Sequence, residues 1–120
     1  MITTMHLFVA GACIPENDAE DVLDDFIANV VGKYDTLEIH TVFDPILCQV
    51  TDFCRKRGLP LNTSTISSSD AHRDIRSIKA LDCSHDCGIL YVRNGRNDIE
   101  YNDMLDVARK TDTTLWTYQI

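Results

Sequence analysis

The chain has 120 residues, of which 44% are hydrophobic and 25% are charged, and its formal net charge at pH 7 is −8. This composition predicts one soluble globular domain over residues 1–120, with a hydrophobic core. The acidic balance argues against non-specific nucleic-acid binding, which needs clustered Lys and Arg, and favours a small-molecule ligand or a basic protein partner. Because no apolar run reaches the roughly 20 residues of a membrane span and no signal-peptide pattern is present, we expect a cytoplasmic protein without membrane contact.

The five cysteines are an odd number, and no pair has C-x-x-C spacing, so we expect reduced thiols rather than a disulfide scaffold. Cys83, His85 and Cys87 could offer zinc ligands, with His72 or Asp86 as additional ones. Structural zinc sites usually combine two C-x-x-C knuckles, and this chain has none. We therefore predict no metal and no cofactor, and we interpret these cysteines as buried or turn residues.

The first apolar stretch, residues 5–13, ends near Gly11 and predicts a buried strand of a parallel sheet. The following acidic segment predicts an amphipathic helix, with Asn17 and Glu20 at the separation of a capping box. A strand over residues 36–42 precedes Asp44 and Pro45, an N-cap and first-turn proline for a second helix. That helix should end at Arg55, Lys56, Arg57 and Gly58, where cations and a glycine suit a helix C-terminus.

Three further strands and two further helices are predicted in the second half of the chain. Ile75 and Ile78 mark a short helix after a polar linker, and Asp98 can cap a helix that carries Met104 and Ala108. The predicted strands cover residues 59–66, 88–92 and 114–120, and residues 93–97 form a polar loop.

The resulting βαβαβαβαβ order predicts an α/β fold, namely a three-layer Rossmann-like sandwich. Its five-stranded, mainly parallel sheet should carry helices on both faces. Ligands of such folds bind beyond the carboxyl ends of the strands, near the point where the strand order reverses. The candidate site therefore comprises residues 11–13, 40–44, 67–70 and 93–98.

Five short motifs are spread over nearly the whole chain: Val9-Ala10-Gly11, Ile39-His40, Arg57-Gly58-Leu59-Pro60, Arg73-Asp74 and the glycine-containing loop after the fourth strand. With this order of elements they resemble the SLOG-like Rossmannoid superfamily, which includes lysine-decarboxylase-like (LOG) phosphoribohydrolases, DprA-like proteins and small YspA-type domains. The resemblance implies a crevice for a nucleotide or a related ligand.

The ligand-binding candidates are Gly11, Ala12, Cys13, His40, Asp44, Arg73, Asn94, Gly95 and Arg96. Family members have glycine-rich loops that let backbone N–H groups approach phosphate closely. Here the loop after the second strand has no glycine and contains Asp44, and the loop after the fourth strand is reduced to Arg93-Asn94-Gly95-Arg96-Asn97. Either the ligand differs from the family's or the site has decayed.

Arginines near the predicted crevice, Arg73, Arg76, Arg93 and Arg96, could replace the missing glycine loops as bidentate phosphate ligands. They could equally be surface charges that balance the acidic first helix. Three aromatic residues also have two interpretations: they could line a base-stacking pocket, or they could belong to the core. They are Tyr101, Trp116 and Tyr118.

The same resemblance implies a catalytic carboxylate, because phosphoribohydrolases and nucleoside deoxyribosyltransferases carry an acid on the helix after this loop. Asp103 is nearest to that place, with Glu100 as the alternative. Such a carboxylate could stabilise an oxocarbenium-like sugar or act as a nucleophile, whereas the simpler interpretation is a solvated helix position. Cys13, His40 and Asp44 could likewise support nucleophilic chemistry, but they favour ligand recognition because no base with an orienting partner is visible.

The leading hypothesis is a non-catalytic protein that binds a nucleotide-derived small molecule at the strand ends. The enzyme alternative is an N-glycosidic hydrolase or transferase that uses Asp103 or Glu100. A third hypothesis is an interaction module whose acidic residues 16–25 dock on a basic protein partner. An edge strand or an apolar helix face could also form a homodimer.

Overall fold

Strands and helices alternate strictly along the chain in the computed structural model, which describes residues 3–31, 34–41, 46–62, 68–81, 84–95 and 99–120. The order predicted from the sequence is confirmed. The elements are β1 (Thr4–Gly11), α1 (Glu16–Val31), β2 (Thr36–Thr41), α2 (Leu47–Arg57), β3 (Leu61–Asn62), α3 (Ser68–Lys79), β4 (His85–Arg93), α4 (Ile99–Thr111) and β5 (Thr114–Gln119).

The five strands form one sheet in the order β3-β2-β1-β4-β5, and every neighbouring pair is parallel. This confirms the α/β Rossmann-like sandwich and makes the sheet wholly parallel. The central strands β1 and β4 are buried along most of their length, as expected for strands covered on both faces. No helix in the described part of the chain is both long and apolar enough to cross a membrane.

Each face of the sheet has its own hydrophobic core. On the first face, Leu7 and Val9 of β1 pack with side chains of α1 and α2, such as Leu23 and Phe53. On the second face, Phe8 and Ala10 of β1 pack with side chains of α3 and α4. Side chains alternate between faces along a strand, so one strand supplies both cores.

The strand order reverses between β1 and β4. From β1 the chain proceeds outward through β2 to β3, and it then crosses to β4 and β5 on the other side. The loops after β1 and β4 therefore leave the sheet in opposite directions, which is the arrangement that opens a crevice in doubly wound folds.

Several predicted boundaries are corrected. Helix α1 begins at Glu16, so Asn17 lies inside the first turn and is not the N-cap, and the carbonyl of Pro15 accepts the N–H groups of Asp18 and Ala19. Strand β3 begins at Leu61 rather than at residue 59. Strand β4 begins at His85, three residues before its predicted start, because pairing with β1 extends to Thr4.

One predicted helix end is confirmed, and other predicted helix-end residues lie outside the described part of the chain. Gly58 ends α2 in the left-handed conformation, with φ of 66° and its N–H donated to the carbonyl of Cys54, as predicted. Asp44 and Pro45 lie outside the described residues, as do Arg96, Asp98, Cys83 and residues 63–67.

Candidate functional site

The loop after β1 is fixed by close contact with β4. Gly11 has φ of 113°, and a Cβ atom there would lie 2.2 Å from the carbonyl oxygen of Val92. The N–H of Ala12 donates to the same oxygen at 3.0 Å. Gln49 of α2 accepts the N–H of Ile14 at 2.8 Å and donates to its carbonyl at 2.6 Å. The Ala12 and Ile14 amides are therefore engaged within the protein rather than directed at a ligand.

The exposed Cys13 lines a first cleft of about 450 Å³, which lies between α1 and α2 and is called the α1–α2 cleft below. Three carboxylates and one lysine contribute to its lining, so its charge disfavours an anionic ligand. Its lining consists of Cys13, Ile14, Glu16, Ala19, Glu20, Leu23, Gln49, Asp52, Phe53 and Lys56.

Asn94 and Gly95 lie in a second cleft of about 560 Å³, at the carboxyl ends of β4 and β5, called the β4–β5 cleft below. Arg93, Gln119 and Ile120 complete its lining. Gly95 has φ of 105°, and a Cβ atom there would meet nothing within 4 Å, so its backbone faces open space. The guanidinium carbon of Arg93 lies 4.3 Å from the centroid of the Tyr101 ring, a cation–π contact.

Asp103 lines a third cleft, of about 430 Å³ between α3 and α4. Glu100 is not among the residues of this α3–α4 cleft, whose lining is Ser68, Ser69, His72, Asp103, Asp106, Val107 and Lys110. Four of the predicted site residues thus line three separate clefts, namely Cys13, Asn94, Gly95 and Asp103. Gly11, Ala12, His40 and Glu100 line none of them.

Arg73 lines none of these clefts. Its guanidinium pairs with Asp70 at 3.3 Å and with Asp74 at 3.2 Å, both on α3. Trp116 and Tyr118 pack against the core of the first face, where the Trp116 ring meets Phe26 edge-on at 5.1 Å. These contacts support the structural interpretation of the two aromatic residues.

The acidic residues of α1 have partners of their own. Arg57 at the end of α2 bonds Asp24 through its Nε at 3.0 Å and Glu20 at 3.0 Å. This guanidinium lowers the pKa of Asp24. Part of the acidic surface is thus neutralised within the protein, and docking on a basic partner or formation of a homodimer stays a prediction.

His40 lies in a row of three histidines on the second face of the sheet. Its Nε2 lies 3.0 Å from His6 Nδ1, and His6 Nε2 lies 3.0 Å from His85 Nδ1. The His40 ring is 4% exposed and stacks on Phe8, with centroids 4.5 Å apart. The role of His40 in ligand binding stays a prediction. In the structure its ring contacts the imidazole of His6 and the ring of Phe8.

Glu38 adds a carboxylate to this row. One of its oxygens lies 3.6 Å from His6 Nδ1 and the other 3.7 Å from His40 Nε2. The strand register explains the arrangement, because His6 pairs with Glu38 across β1 and β2, while β1 and β4 pair Thr4 with His85. The ligating atoms of His6, Glu38 and His40 all lie within 4.8 Å of one another.

Burial lowers the pKa of both His6 and His40, and the neighbouring Glu38 opposes this effect. The charge of Asp74 on α3 also acts on His40 and raises its pKa. The buried Nδ1 of His40 has no hydrogen-bond partner among the described residues. The row therefore has two buried imidazoles, His6 and His40, between the part-buried His85 and the carboxylate of Glu38.

The cysteine-rich segment before β4 is mostly strand. Cys87 is buried, which raises its pKa to about 12, and Asp86 accepts a hydrogen bond from the hydroxyl of Tyr34 at 2.8 Å.

Within the described ranges, the one group of three or more close metal-ligating side chains is His6, Glu38 and His40. Sequence reasoning missed it because Glu38 and His40 of β2 become a cluster only with His6 of β1, and the sequence does not show how these two strands pair.

No protein-family model matches the chain, and no curated protein matches it significantly in sequence. The likeness to the SLOG-like superfamily therefore stays a prediction, and the functional argument stands on the geometry of this molecule.

Proposed function

We propose that the protein binds a small nucleotide-derived anion in the β4–β5 cleft, without acting on it. The observation that carries the proposal is the open backbone of Gly95 beside the guanidinium of Arg93 and the amide of Asn94. These are groups that bind phosphate, and they lie at the carboxyl end of a central strand next to the reversal of strand order.

The other clefts support this choice by contrast. The α1–α2 cleft carries Glu16, Glu20 and Asp52, and the α3–α4 cleft carries Asp103 and Asp106. No carboxylate side chain lines the β4–β5 cleft among the described residues. Its volume of about 560 Å³ suits a ligand of nucleotide size, and the guanidinium of Arg93 also contacts the Tyr101 ring.

A thermal-shift screen against nucleotides, cyclic nucleotides, nucleosides and ADP-ribose derivatives tests the proposal. A ligand that binds only the native state at 100 times its Kd adds about 2.7 kcal/mol. For a domain of this size the unfolding midpoint then rises by roughly 10 °C. We expect a phosphate-containing compound to give such a shift.

The variant Asn94→Asp places a negative charge in the cleft at an exposed position and should abolish the shift. Asn17→Asp, an exposed position in the first turn of α1, makes the same charge change outside the cleft and should keep it. Equal shifts in the two variants, or no shift with any compound, would contradict the proposal.

The enzyme alternative has one supporting observation, since Asp103 shares the α3–α4 cleft with His72 and the hydroxyls of Ser68 and Ser69. Under this second candidate, a nucleoside monophosphate would release its base. Asp103→Asn should stop the release without changing stability, because Asp103 is exposed. Base release measured by chromatography decides it, and release that persists in the variant would exclude Asp103 as the catalytic carboxylate.

A further inference from the structure

The geometry points to a binding site for one divalent transition-metal ion, with Zn²⁺ as the best fit, held by His6 Nδ1, His40 Nε2 and the carboxylate of Glu38. The site lies on the second face of the sheet, where it joins β1 and β2. It is independent of the ligand proposed for the β4–β5 cleft.

The spacing of the three groups fits zinc. Bonds of about 2.0–2.1 Å in a tetrahedron separate neighbouring ligand atoms by roughly 3.3–3.4 Å. Here the two nitrogens are 3.0 Å apart, and each lies near a different oxygen of Glu38, His6 Nδ1 at 3.6 Å from one and His40 Nε2 at 3.7 Å from the other. A metal ion can therefore be accommodated when the two imidazoles separate by roughly 0.3 Å.

The second nitrogen of His6 has a hydrogen-bond partner, as the second nitrogen of a metal-bound histidine almost always does. When Nδ1 of His6 ligates a metal, its ring proton lies on Nε2 and is donated to His85 Nδ1, which is 3.0 Å away. Such a hydrogen bond fixes the tautomer and the orientation of the ligating ring. His85 thus acts as a positioning residue for the metal ligand His6.

One nitrogen of the two buried imidazoles has no explanation in the core. Three of the four ring nitrogens contact another imidazole, whereas His40 Nδ1 has no partner among the described residues. Buried side-chain polar atoms normally have at least one hydrogen-bond partner. Metal binding on Nε2 places the ring proton of His40 on Nδ1, and the negative charge of Asp74 acts on this ring.

The ligand set leaves the metal accessible. Two histidines and one glutamate are three protein ligands, which is the number found in sites that keep a fourth position for water or a substrate. The Glu38 side chain is 37% exposed, so solvent reaches this part of the cluster. Borderline nitrogen ligands with one carboxylate favour Zn²⁺ and similar ions over Mg²⁺ or Ca²⁺.

Calorimetric titration of the metal-free full chain with Zn²⁺ tests this site, with Co²⁺ absorption as a second readout. We expect one ion per chain, and a visible Co²⁺ spectrum typical of tetrahedral nitrogen and oxygen ligands without thiolate bands. Mg²⁺ should not compete.

Substitutions of the proposed ligands test whether the ion binds at this cluster. Glu38→Gln and His6→Gln should each weaken Zn²⁺ binding by at least about tenfold, and His85→Gln by about tenfold. His72→Gln on α3 and Glu16→Gln on α1 are the matched controls and should bind as the parent does, because neither residue belongs to the cluster.

Two outcomes would overturn the site: no saturable binding of Zn²⁺ or Co²⁺ at micromolar metal, or binding that is unchanged in Glu38→Gln. If His6→Gln fails to fold by circular dichroism, Glu38→Gln decides the question alone, since its partly exposed carboxylate can be replaced without opening the core.

Discussion

The structure explains why residue 11 is a glycine, and the explanation differs from the one that the sequence suggests. A glycine after the first strand is typical of a phosphate-binding loop, where backbone must approach a ligand. In this molecule the close approach is to protein, because the strand partner Val92 occupies the space beside Gly11. The need for glycine could be predicted, whereas the neighbour that imposes it could not.

Gly11→Ala should destabilise the protein by about 3 kcal/mol or more, since a side chain there adds an unfavourable positive φ to a clash with β4. Urea unfolding followed by circular dichroism measures the loss. Gly58→Ala is the control, because its φ is also positive but no atom lies within 4 Å of the added Cβ. That variant should lose only about 1 kcal/mol, and equal losses would show that the contact with Val92 is unimportant.

At the scale of elements, a local signal located the end of α2, whereas non-local pairing set the start of β4. The end of α2 at Gly58 was predicted because the glycine and the preceding cations act within one turn. The start of β4 was predicted wrongly, since residues 85–87 become strand through pairing with β1. The histidine row depends on that same extension, so no local pattern could have revealed it.

The contact between α1 and α2 includes the ion pairs of Arg57 with Glu20 and Asp24. Arg57→Glu should lower the unfolding midpoint modestly, because the new carboxylate faces two others, and added salt should reduce the effect by screening. Arg55→Glu is the control, because this substitution makes the same charge change in the last turn of α2. Arg55 pairs only with Asp52 of the same helix among the ion pairs of the described residues. Equal effects of the two variants would show that the pairs between helices add nothing.

At the scale of the whole molecule, the alternation of apolar strands and amphipathic helices was sufficient to predict the layers and the parallel sheet. Parallel strands need crossover connections of one hand, which leaves few arrangements open. The grouping of the candidate site was not predictable, because it depends on which loops meet. Cys13 follows β1, Asn94 follows β4 and Asp103 lies within α4, and each lines a separate cleft.

The pairing of β1 with β4 at the centre of the sheet also governs when this chain can fold during synthesis. His6 and His85 are in contact although they are 79 positions apart in the sequence. Until β4 has left the ribosome, β1 can pair only with β2, and its other edge has no strand. The first half of the nascent chain therefore exposes an apolar strand edge of the kind that chaperones protect from aggregation.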